Sequence, residues 1–146
     1  VYENQNNNID NDGSAIYFEL YSTTDGGFAN PSAAEARIFD FGNGWLGQDR
    51  TTGAARLSDA TNTVTGPVIN EGANQIGVVW STTDNQMAIC VNGVWSTDSA
   101  YDGTMTGVAN IKIGINLDHC VGIRLGKGYV GIADLAAGKD IIDGLM

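Results

Sequence analysis

QIGVVWSTTDNQMAICVNGVW, from Gln75 to Trp95, carries the clearest strand pattern in the chain. Ile76, Val78 and Trp80 alternate on one side, Ser81 to Asn85 forms a polar turn, and alternation resumes through Met87, Ile89 and Val91. The stretch therefore reads as strand, hairpin, strand. Asn92-Gly93 follows between Val91 and Val94, and this pair predicts a two-residue type I′ turn, because both central positions need positive φ. A third strand is expected to begin at Val94.

Working outward, the same period of two recurs. Ser14 to Tyr21, SAIYFELY, points Ile16, Phe18 and Leu20 toward a core and Tyr17, Glu19 and Tyr21 the other way. Upstream, Val1 to Asn11 is Asn-rich, a linker or an incoming strand end. Thr23 to Ala34 holds Asp25-Gly26-Gly27 and Asn30-Pro31 and reads as a long loop. Arg37 to Phe41 is a strand with Ile38 and Phe41 as its inward candidates. Weaker patterns around WLGQ and AARL, joined by Asp49 to Gly53, give two more. Val64 to Ile69 contains Pro67, which cannot donate to a ladder and so belongs at an edge or a strand end. Ile111, Ile113 and Ile115 alternate cleanly. Val121 to Leu125 and Tyr129 to Ala133 read as a closing hairpin around Gly126-Lys127-Gly128, and Asp134 to Met146 as at most one helical turn, limited by Gly138 and Gly144. No repeat of 20 to 50 residues is present, and the pattern of many short strands predicts an all-β, two-sheet antiparallel jelly-roll sandwich.

At 146 residues, positions 1–146 form one domain, long enough to bury roughly two-thirds of the unfolded surface without help from a disulfide or a metal. A chain beginning at Val1 rather than Met reads as a fragment of a longer fibre or surface protein. The net charge of −10 and only 7 basic residues argue against nucleic acid, whose recognition rests on clustered Lys and Arg. Membrane insertion is not expected either, since no apolar run approaches about 20 residues. Cys90 and Cys120 could be bridged, but their apolar strand contexts favour free buried thiols.

RIFDFGNG (Arg37 to Gly44), IGVVWSTTDNQMAICVNG (Ile76 to Gly93), NIKIG (Asn110 to Gly114) and the late strand YVGI (Tyr129 to Ile132) lie in an order that resembles the concanavalin A-like lectin/glucanase superfamily. The resemblance is to its laminin-G-like version, found in phage tail fibres and tailspikes. It implies a jelly-roll sandwich with a concave sheet, used by relatives mainly for carbohydrate or receptor binding and in some branches for glycan cleavage. The glucanase branch carries Glu-x-Asp-x-x-Glu on one strand, a run absent here, where the glutamates are Glu3, Glu19, Glu35 and Glu71. His119 lies between Asp118 and Cys120, and sequence neighbours on a strand point to opposite faces, so a dyad from these three is geometrically poor and His119 reads as structural or surface. The chain is accordingly not expected to be an enzyme.

No cofactor is required, and calcium is the one metal with a candidate loop. NIDNDGSAIYFE, Asn8 to Glu19, matches the spacing of a calcium loop through Asp10, Asp12, Gly13 and Glu19, although a turn before a strand explains the same letters. Sugar sites combine an aromatic ring with short polar groups. Two clusters fit: Trp45 with Gln48, Asp49 and Arg50, and Trp95 with Asp98, Tyr101 and Asp102. Trp80 alternates with Val78 and reads as core. The expectation is a non-catalytic module recognising a glycan or a cell-surface receptor, on a virion tail fibre or in an extracellular setting. The alternatives are a structural domain of a viral fibre, packed as a homotrimer, and a fragment of a polysaccharide-cleaving enzyme.

Overall fold

The computed structural model describes residues 2–3, 10–22, 35–49, 51–105, 110–115 and 120–146. These form twelve strands and one helix: β1 (Tyr2–Glu3), β2 (Gly13–Ser22), β3 (Glu35–Asp40), β4 (Trp45–Asp49), β5 (Ala54–Ser58), β6 (Thr63–Val68), β7 (Gly72–Ser81), β8 (Gln86–Val91), β9 (Val94–Trp95), β10 (Ser99–Ala100), β11 (Asn110–Ile115), β12 (Cys120–Val130) and α1 (Leu135–Asp143). The first sheet runs β1-β11-β3-β4-β5-β6; the second runs β10-β8-β7-β2-β12, with β9 also paired to β8.

The β7–β8 hairpin forms as its alternation requires, in register from Ile76 opposite Val91 to Ser81 opposite Gln86. Asn92 (φ 52°) and Gly93 (φ 80°) both sit in the left-handed region, as a type I′ turn demands. Ile76, Val78 and Trp80 face inward with Met87, Ile89 and Val91, and Ile16, Phe18 and Leu20 join them from β2. The first sheet contributes Ile38, Phe39, Phe41, Leu46, Leu57 and Val64. Phe18 meets Phe39 edge-on with centroids 4.9 Å apart, and Phe41 lies 5.6 Å from the Trp80 ring. Trp80 is wholly buried and its indole N–H donates to the Asp10 carbonyl at 2.8 Å, so its one polar group is satisfied.

Both Ile38 and Phe39 are buried because the register slips between Arg37 and Phe39, a bulge that puts two successive apolar side chains on the core side. Pro67 falls on β6, the edge strand of the first sheet, as its missing N–H dictates. Two expectations fail at the C-terminal end. Residues 120–130 are not a hairpin but one strand, β12, paired with β2 from Ser22 to Ser14. Gly126 marks a register shift within it, and a Cβ there would lie 2.3 Å from Tyr17 Cδ1, so the glycine serves a close approach rather than a turn. Likewise 134–146 holds a nine-residue helix instead of a single turn. Its Gly138 is a packing site: a Cβ there would lie 2.3 Å from Val79 Cγ1.

Cys90 is a free, buried thiol. Cys120 lies opposite Ser22 on β12, three strand spacings from β8, or about 14 Å. That is about twice the Cα separation a disulfide spans, so the two cysteines are not bridged.

Candidate ligand-binding face

The outward side of the second sheet divides into two halves. At one end α1 lies across it. Asp134 caps the helix by accepting the Ala137 N–H at 2.8 Å, and Asp84 accepts the Leu135 N–H at 2.6 Å. Leu135 and Ile142 then bury against Ala15, Tyr17, Val79 and Cys90. Burial pushes the Cys90 thiol up to about 11. Trp95 closes the margin, its indole donating to Asp143 Oδ1 at 2.9 Å while the Lys139 ammonium sits 5.3 Å above its ring.

Beyond the helix the same strands present two open cross-strand rows, and a third borders them with its Gly77 and Tyr17 against α1. Ala73, Tyr21 and Gly122 form the first; Gln75, Glu19 and Arg124 the second; Gly77, Tyr17 and Lys127 the third. Two strand spacings by one row spacing give an open platform of about 10 by 7 Å. Flanked by an alanine and a glycine, Tyr21 has no bulky cross-strand neighbour and is 52% exposed. The second row is held by hydrogen bonds: Gln75 Nε2 donates to Tyr17 Oη at 3.0 Å, and the Tyr17 hydroxyl donates to Glu19 Oε1 at 3.3 Å. Arg124 stands 3.8 Å from Glu19 Oε2. The backbone of Gln75 is fixed from the turn, where Asn92 Oδ1 accepts its N–H at 2.8 Å. An apolar ring with an exposed face beside a hydrogen-bonded acceptor and amide and an exposed guanidinium can stack on a sugar and bond its hydroxyls. The rows contain one carboxylate, whereas glycoside cleavage takes two.

The clusters expected from the sequence are distributed differently. Trp45 and Asp49 do share the outward face of the first sheet, opposite its core residue Leu46, but the Trp45 ring is only 7% exposed and lies under the Arg37 guanidinium, 5.3 Å away. Arg37 is itself bonded to Asp40 Oδ2 at 3.0 Å, the two brought to one face by the Ile38 bulge. Asp49 Oδ1 accepts from the Thr51 and Thr52 N–H groups at 2.9 and 2.8 Å, and Oδ2 pairs with Arg56 Nη2 at 2.7 Å. The Thr52 backbone bond above all holds its carboxyl below the usual range, against the opposing effect of burial. Arg50 lies outside the described residues.

Trp95 is half-buried beneath the margin of α1, and Asp98 is bonded to Lys139. Tyr101 is no platform: it is 3% exposed in the core, its hydroxyl donating to the Asn11 carbonyl at 2.7 Å, and burial raises its pKa. Asp102 sits beside Asp59, to whose Oδ2 its N–H donates at 2.8 Å, and a bond from the Thr104 hydroxyl lowers its own pKa. The calcium trio does not converge. Asp10 is turned back to accept the Gly13 N–H at 2.9 Å, as an Asx turn, while Glu19 is carried six residues along β2, about 20 Å away. Among the described residues no group of three or more His, Cys, Asp or Glu side chains is placed to hold a metal.

Tyr21 and Glu19 are visible in the sequence as the outward alternates of β2, but Gln75 and Arg124 join them only through strand pairing, which a hairpin over 120–130 would not allow.

No protein-family model matches the chain, and no curated protein matches it. Among solved structures, domains LG4-5 of the mouse laminin alpha1 chain are similar at a TM-score of 0.58 and 11% identity, over 88% of this chain and 37% of that one. The CBM40 of Ruminococcus gnavus IT-sialidase, bound to alpha2,3 sialyllactose, matches at 0.48 and 14% identity, covering 80% of this chain and 72% of that one. The Caenorhabditis elegans galectin LEC-6 matches at 0.46 and 14% identity, covering 82% and 83%. The chain thus spans little more than a third of the laminin chain it resembles. The likeness is one of fold: this is a two-sheet antiparallel jelly-roll sandwich, similar in fold to the laminin LG domains.

Proposed function

We propose that the chain is a non-catalytic binding module that takes a carbohydrate on the bare half of the second sheet. Tyr21 stacks on an apolar sugar face, and Glu19, Gln75 and Arg124 bond the hydroxyls around it. One observation carries the reading: among the side chains described, Tyr21 is the exposed aromatic ring, and it stands beside a row already fixed by hydrogen bonds. Fold alone supports no particular ligand, since sandwiches host many functions.

A glycan array with the whole chain, run with and without calcium, tests this. Binding that disappears in Tyr21→Ala, with thermal unfolding unchanged, is the expected result. A blank array from folded protein, or undiminished binding by Tyr21→Ala, overturns it. Placement on a trimeric virion fibre is a separate matter read by sedimentation equilibrium, since a monomer would remove the homotrimer.

A further inference from the structure

The basic side chains differ in how they are engaged. Arg37, Arg56 and Lys139 are in close ion pairs with Asp40, Asp49 and Asp98. On β12 the situation is the reverse. The Arg124 side chain is 84% exposed and 3.8 Å from Glu19, too far for a hydrogen bond, and Lys127 is exposed with no ion-pair partner among the described residues. In a regular strand, residues three apart point to opposite faces. Here the register shift between Leu125 and Lys127 inserts Gly126, so that Arg124 falls opposite Glu19 and Lys127 opposite Tyr17, both on the outward face. The shift requires a glycine, because the Tyr17 ring occupies the space a Cβ would fill. Two cations thus stand one row apart, about 7 Å, at the rim of the platform. In a chain of net charge −10 such a pair is local and specific, since the rest of the molecule repels anions.

We infer that Arg124 and Lys127 seat an anionic substituent, a carboxylate or a sulfate, of the sugar that Tyr21 stacks on; this rests on the carbohydrate reading of the same face. Arg124 offers a planar fork of donors and Lys127 a point charge, so the site distinguishes a charged glycan from its neutral parent.

The experiment is an array of matched oligosaccharides, each printed in neutral, carboxylated and sulfated form and probed with wild type, Arg124→Gln/Lys127→Gln and Tyr21→Ala. The expected result is a preference of about tenfold or more for a charged form, weakened by salt and levelled in the double variant. Comparing the carboxylated and sulfated arms identifies the anion. Equal binding of neutral and charged forms, or a preference that survives the double variant, overturns the inference while leaving the carbohydrate reading intact, provided Tyr21→Ala still abolishes binding. No binding to any form overturns both.

Discussion

Under α1, the outward face of the second sheet is built from Ala15, Gly77, Val79 and Cys90, with the Tyr17 ring at its border; a few residues along the same strands it is built from Tyr21, Glu19, Gln75 and Arg124. Backbone and pairing are alike in both halves. What differs is side-chain volume and polarity. Small apolar residues let a helix come close enough that Cβ atoms added at Gly77 or Gly138 would lie 2.2 and 2.3 Å from Ile142 Cγ2 and Val79 Cγ1. Large polar ones keep the other half in water. One half therefore contributes stability and the other is free to bind, and substitutions should separate the two roles.

The largest effect is expected from Ile142→Ala, which empties a fully buried site beneath the helix and should cost about 2–5 kcal/mol in urea unfolding. It should also speed mass-mapped alkylation of Cys90, whose thiol is protected by burial; unchanged labelling would show the helix still docked. Gly138→Ala is expected to lose about 1–3 kcal/mol by overpacking against Val79, outweighing the gain of up to about 1 kcal/mol in helix propensity. A net gain in melting temperature would mean the helix can ride higher. Asp134→Ala removes the cap and should cost about 1 kcal/mol, read by the same denaturation. Smallest in stability is Tyr21→Ala, expected to stay within about 0.5 kcal/mol of wild type while binding is lost. A large destabilisation there would erase the distinction between the halves.

Much of this contrast is legible in the amino-acid sequence alone. The alternation of Ile16, Phe18 and Leu20 against Tyr17, Glu19 and Tyr21 separates core from outward side, and Asn92-Gly93 sets the register of its hairpin through its demand for positive φ. The candidate sugar site is less legible. Trp45 and Tyr101 are attractive as aromatics near polar residues, yet one ring lies beneath Arg37 and the other inside the core, because proximity in sequence does not report which side of a strand or loop a ring takes. Gly126-Lys127-Gly128 resembles a turn because glycine marks turns and close approaches with the same letter; the Tyr17 ring decides between them.

By itself, then, the sequence determined the class of fold, the strands with a strict period of two, the inward residues of the central hairpin and of β2, and the edge position of Pro67. These depend on local geometry: side-chain alternation, φ preference and a missing donor. Only the tertiary structure decided that α1 covers half of one face, that β12 is a single strand, and that Gln75, Glu19 and Arg124 stand in one row. Those are pairings between segments about fifty residues or more apart, and no local period encodes which distant strand will lie alongside.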